Sequence, residues 1–446
     1  MTASFSKEVG LLRTLAENLV SKLLPAGPIT QQYLREQDMG RAVNRGHSVD
    51  AILRPGHAAF NDLSDSIIGR FPEIGRGTNI TIFESTLFDY VIENFVGRDC
   101  ASIGASDVSS LHAHIEAWFA NLAQPRRVFV PCVISPWPAP RFSVGPVIFL
   151  FVEDAAQSEF YPPNGPDGIL WRDGFDRMLQ LMRDTRTTWL ARVPVEGCEQ
   201  HRAEEIGGLA VDLAIVALQL AAPFFGTKTM CRLDARRGAA EKRTLTETNG
   251  YYNAGWTRMD AGLAIGPGTL ADILKQCDQL VAAVGNCVQS FTTGQFRLPT
   301  LEQAWCDAAY WLHEALAEPM DSIAVAKLET ALEVLFCAEN PSGSQARILT
   351  ALDLFFSLKA DDPIMEGSSV SAKQFARGIV NDRSRILHGT WSTLNSRLAR
   401  NRGGLEGFVV TVIRRTVLEF DDYSRSPAPA DRIDDFLAWI RSHPRN

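Results

Sequence analysis

Arg383 and His388 stand with four residues between them in the stretch NDRSRILHGTW, residues 381–391. An imidazole with an ordinary pKa of about 6.5 gives or takes a proton at neutral pH, so it can serve as base or acid. A guanidinium presents a planar fork of donors that suits a carboxylate or a phosphate. Together the two residue types provide proton transfer next to stabilisation of developing negative charge. The bare spacing is loose, and the chain contains a second example, Arg41 to His47 in RAVNRGH. Context separates the two. Arg41 and His47 lie in a polar stretch interrupted by glycine, as expected of a surface loop. Arg383 and His388 lie among Phe375, Ile379, Ile386 and Leu387, which supply an apolar face, directly before Gly389, a candidate helix C-cap.

Five residues of ideal helix turn through about 140°, so Arg383 and His388 do not share a face of a straight helix. They meet if the helix bends or ends there, or if a second copy of the chain supplies the partner group across a two-fold axis. The surroundings are basic. Between Arg377 and Gly404 the charged residues are Arg377, Arg383, Arg385, Arg397, Arg400 and Arg402 against one acid, Asp382, in a chain whose net charge is -8. That overall charge opposes a protein that coats nucleic acid without selectivity, while the local island suits a confined anionic target. The island is equally a solvated helical face.

The elements that must hold these residues are helical. From about Leu298 onward the patterning is helix alone: LEQAWCDAAYWLHEAL aligns Leu301, Trp305, Ala308, Leu312 and Leu316, and VAKLETALEVLF aligns Val325, Leu328, Leu332, Leu335 and Phe336. ARILTALDLFFSL, FARGIVNDRSRILHG, LEGFVVTVIRRTVLEF and DRIDDFLAWIRS continue the series, joined by short turns such as ENPSGS and NRGG. Before it, the chain mixes helix and strand. RRVFVPCVIS and VGPVIFLFVED flank PWPAPRFS as a hairpin with a long loop, and TTWLARVPV, TKTMCRLDA and RTLTETNGYY are further strand candidates. The fold class is therefore α+β: a mixed region over residues 1–295 and a helical bundle over 296–446.

The longest apolar run, Ile206 to Phe225, contains Asp212 and Gln219, which are expensive in a membrane span, so a buried core helix is expected. The amino terminus lacks the pattern of a signal peptide. Cysteines at 100, 132, 198, 231, 277, 287, 306 and 337 form no C-x-x-C pair, which points to reduced thiols, a cytoplasmic location and no metal. His112 and His114 have no carboxylate or cysteine at ligand spacing and are expected as exposed helix residues. No phosphate-binding glycine loop, dinucleotide fingerprint, nucleophile elbow or H-E-x-x-H occurs.

The segment from Arg383 to Gly389, preceded by KLETALEVLF and LDLFF, resembles the Apea-like branch of the HEPN superfamily. There an "ALE-(hydrophobic)-LF" helix precedes an "RS-x-x-x-HG" element. The resemblance covers about the last 150 residues. It implies a helical bundle that forms a homodimer and cuts RNA without metal or other cofactor, in bacterial phage defence or as a toxin, on a phage or host trigger. Carried over by residue, it makes Arg383 and His388 catalytic, with Ser384, Glu333 and Asp382 in support. Arg385, Arg377, Arg397, Arg400 and Arg402 are the candidate RNA contacts. In this chemistry His388 takes the 2′-hydroxyl proton or protonates the leaving group, and Arg383 holds charge on the phosphorane; DNA lacks the hydroxyl and is not cut this way. Two other readings stand beside it. Arg383 pairs with Glu333 or Asp382 as a structural salt bridge, and His388 is merely favoured at a helix end. The fold then serves as an inactive RNA- or protein-binding scaffold.

Overall fold

The computed structural model describes residues 5–23, 31–45, 48–162, 168–223, 226–233, 241–258, 262–391 and 402–444. The chain is α+β and divides into two compact units, residues 1–126 with 196–204, and residues 127–195 with 205–446. The helices from Pro299 onward belong to the second unit together with a five-stranded sheet.

In the first unit α1 (Ser6–Glu17), β1 (Leu19–Leu23), α2 (Gln31–Glu36), β2 (Met39–Asn44) and β3 (Ser48–Leu53) precede α3 (Arg54–Arg70), α4 (Pro72–Gly77), α5 (Ile80–Phe95) and α6 (Ala105–Leu122). The strands form an antiparallel sheet in the order β1-β3-β2. Phe60, Phe83, Phe88 and Ile115 are fully or almost fully buried in its helical core. Arg41 lies on β2, not in a loop. It pairs with Glu84 at 2.7 Å and stacks over the Phe60 ring, while His47 lies outside the described residues. His112 corrects a second expectation: it is buried, with Nε2 3.4 Å from the buried Glu8 carboxylate. Burial lowers its pKa, against the pull of Glu8. His114 is exposed.

The second unit takes in β4 (Arg126–Val133) from its second residue, β5 (Phe142–Val144), β6 (Val147–Phe151), α7 (Val152–Ala155), α8 (Gly168–Asp184), β7 (Trp189–Val195) and α9 (Gln200–Ala221) from Glu205 onward. The sheet runs β5-β6-β7-β4-β8, with β8 at Cys231–Arg232. The expected β4 to β6 hairpin does not form, because the supposed loop contributes β5, which pairs with β6 through a tight turn at Gly145. A Cβ on Gly145 would strike the carbonyl of Gly285, so glycine is required where sheet and helix meet. The buried α9 carries Asp212, fully enclosed and held by Arg232 through bonds of 2.9 and 2.8 Å. Among the described residues no helix is long and apolar enough to cross a membrane. The hairpin of β9 (Glu241–Thr248) and β10 (Tyr251–Arg258) follows, turning at Asn249 and Gly250, both at positive φ.

The helical series is α10 (Thr269–Gln276), α11 (Asp278–Thr293), α12 (Pro299–Ala317), α13 (Asp321–Leu335), α14 (Pro341–Phe356), α15 (Ala372–Leu387), α16 (Arg402–Ser424) and α17 (Ile433–Ser442). Proline opens α12 and α14 where its missing N–H is harmless. Ser371 and Gln374 form a reciprocal capping box on α15. Phe408 of α16 lies against Phe356 and Phe375, tying α14 and α15 to the same helix.

Candidate active site

Helix α15 buries Ala372, Ala376, Ile379, Val380 and Ile386. Arg383 is four residues after Ile379 and three before Ile386, so the same stripe carries its side chain towards the neighbouring helix. There α13 presents Glu329 and Glu333, four residues apart and hence on one face. Arg383 Nη2 lies 2.8 Å from Glu333 Oε2, and Nε lies 3.0 Å from Glu329 Oε2. The second contact is an ion pair out of line for a hydrogen bond. Glu329 is fully buried, and its other oxygen accepts a 3.0 Å bond from the Ser344 hydroxyl at the start of α14. Burial pushes the Glu329 carboxyl up to about 7, with Arg383 pulling it down and Glu333 pushing it up.

His388 occupies a different surface. It caps the carboxyl end of α15, its N–H donating to the Ser384 carbonyl at 3.0 Å, and its side chain is exposed with no hydrogen-bond or ion-pair partner among the described residues. Gly389 takes the left-handed conformation at φ +68°, as a helix-ending glycine should. The chain then folds back: Trp391 N–H and the Thr390 hydroxyl both donate to the Arg385 carbonyl, each at 3.1 Å. This sets the Arg385 guanidinium over the Trp391 ring, 4.6 Å from its centre. Leu387 is 62% exposed, so the apolar face of the helix end is supplied by Ile386 without it.

Within one chain, then, Arg383 and His388 share a helix end but not a face, in keeping with the rotation of an ideal helix. Arg383, Glu333 and the unanticipated Glu329 and Ser344 come together. Arg377 and Arg385 are exposed, and Ser384 and Asp382 are half-buried beside them. Arg402 is drawn into the bundle, where Glu406, Asp321 and the carbonyls of Ala315 and Leu316 take its donors, which removes it from the candidate phosphate contacts. Arg397 and Arg400 lie outside the described residues.

Comparison of the chain with protein-family models, with curated proteins and with solved structures returns no match. The chemistry of the site therefore rests on its own residues. A guanidinium paired with two carboxylates can offer its remaining donors to a phosphate, and on another face of the same helix end an imidazole without a partner among the described residues can exchange a proton.

One sign of Glu329 is present in the sequence. It stands four residues before Glu333, between Leu328 and Leu332, where an acid in an apolar frame needs a partner.

Proposed function

We propose that the protein is a metal-independent endoribonuclease of the HEPN type, acting in the cytoplasm in phage defence or as a toxin. The observation that carries this reading is the division of labour on α15: Arg383 is braced by Glu329 and Glu333, while His388 keeps an exposed imidazole without a partner among the described residues. His388 takes the proton of a 2′-hydroxyl, the 2′-oxygen bonds to phosphorus, and the bond to the 5′-oxygen breaks as that oxygen gains a proton. The products are a 2′,3′-cyclic phosphate and a 5′-hydroxyl. In a homodimer two such helix ends face one cleft, so one imidazole serves as base and its symmetry mate as acid. Arg383 stabilises the phosphorane, and Arg377 and Arg385 hold flanking phosphates. The mixed region before the bundle restrains the nuclease until a phage or host trigger arrives.

The test is expression in cells of the wild type beside Arg383→Ala and His388→Ala, with and without phage challenge, reading growth and RNA integrity. Growth arrest with fragmented RNA in the wild type alone supports the proposal.

A second reading is favoured by one observation: Arg383 is already paired with two carboxylates and is only 27% exposed. An inactive scaffold that binds RNA or a protein accounts for that pairing equally well. It predicts intact RNA in all three strains, with Arg383→Ala losing affinity as well as the stability its two ion pairs supply.

A further inference from the structure

Away from α15, a cavity of about 720 Å³ opens along the first turns of α16 and the segment before β8. Its apolar lining includes Leu316, Val410 and Leu418. The same cavity is lined by three cations, Lys228, Arg414 and Arg415, and one carboxylate, Glu406, with Arg414 midway between Val410 and Leu418 on one face of α16. Glu406 is almost fully buried and bonds to Lys228 and Arg402, and Arg415 donates to the Phe355 carbonyl at 2.9 Å. Arg414 has no hydrogen-bond or ion-pair partner among the described residues. In a chain of net charge -8, this is a second local concentration of positive charge besides the island of residues 377–404.

The helix surface at the cavity is unusually bare. Gly403 and Gly407 lie one turn apart on α16, and the place where each Cβ would sit has nothing within 4 Å. Glycine in a helix interior weakens the helix relative to alanine, and at Gly407 no packing among the described residues requires it. What glycine leaves there is room for a group from outside to approach the backbone.

We infer that this cavity binds a nucleotide, its phosphates on Arg414 and Lys228 and its base against Leu316, Val410 and Leu418. The volume is in the range of small-molecule sites, and an apolar lining with a few convergent polar groups is their usual construction. Buried Glu406 adds an acceptor for a sugar hydroxyl or base amino group. The site uses none of the residues assigned to RNA cleavage, so it stands or falls separately from that proposal.

Calorimetric titration of the full chain with ATP, GTP, CTP, UTP, their monophosphates and inorganic pyrophosphate tests this. At least one nucleotide is expected to bind saturably, at least tenfold more tightly than pyrophosphate. Arg414→Glu and Gly407→Leu should each weaken it tenfold or more, and His388→Ala should leave it unchanged. Gly407→Leu projects into open space, so its helical circular dichroism and thermal midpoint should match or exceed the wild type. Saturable binding of no nucleotide, pyrophosphate binding as tightly, undiminished binding in both cavity variants, or loss in His388→Ala would each overturn the assignment.

Discussion

Arg383 on α15 and Glu329 on α13 meet with Nε 3.0 Å from Oε2, the carboxylate fully enclosed and the guanidinium at the edge of solvent. A buried pair of this kind contributes little against a well-packed apolar alternative, but removing one partner leaves a buried charge unsatisfied. Arg383→Ala should therefore lower the unfolding free energy by about 3 kcal/mol at pH 8 and above, where the Glu329 carboxyl is ionised in the wild type, and by much less at pH 5, where it carries a proton. Adding Glu329→Gln to Arg383→Met should recover most of that loss. Urea denaturation of the single and double variants checks this, and an unchanged midpoint in Arg383→Ala would show the pair to be idle.

The same carboxyl sets a pH dependence. Its folded pKa, about 7, lies above the ordinary value of 4.5, so the native state keeps a proton that the unfolded chain has already lost. Stability from this group is greatest below pH 4.5 and falls as pH rises through 7, by up to about 3 kcal/mol. Glu329→Gln should remove that fall. Denaturation of both proteins at half-unit steps from pH 4 to 8 should show the two curves converging towards acid, with the variant the more stable at pH 8.

His388 makes the opposite prediction. Its side chain is exposed and touches no polar partner among the described residues, so His388→Ala should shift stability by no more than about 0.5 kcal/mol. RNA cleavage should disappear all the same. Thermal midpoints and cleavage assays on one preparation separate the two effects.

The core helix α9 carries its own test. Arg232→Ala would take the guanidinium from the fully buried Asp212, which keeps His313 Nε2 at 3.6 Å, and should cost about 3 kcal/mol, whereas Asp212→Asn with Arg232→Met should be far milder. Guanidinium denaturation of the two variants compares them directly.

Much of this was legible in the sequence because helices announce themselves locally. The stripes through Leu301 to Leu316 and Val325 to Leu335 lie on α12 and α13, with Phe336 at the C-cap of α13, and the apolar run holding Asp212 and Gln219 lies largely on α9. Gly389 ends α15 for a conformational reason visible in its identity. Strand pairing was not legible, since β4, β6 and β7 find partners across long stretches of chain and the short β5 sits in what looks like loop. Nor was the site complete. Glu333 was in view as a partner for Arg383, but Glu329 and Ser344 acquire their meaning only from the packing of three helices. Arg402 looked like its neighbours in the basic island, yet its carboxylate partner is four residues along its own helix and a second lies 81 positions earlier at Asp321.

The most direct measurement uses purified wild type and His388→Ala on one RNA oligonucleotide, beside its 2′-O-methyl counterpart, in the presence of EDTA. The account predicts that the wild type cuts only the unmodified RNA, leaving 2′,3′-cyclic phosphate ends, and that His388→Ala leaves it intact. Equal cutting by the two proteins, or cutting of the 2′-O-methyl strand, would contradict it.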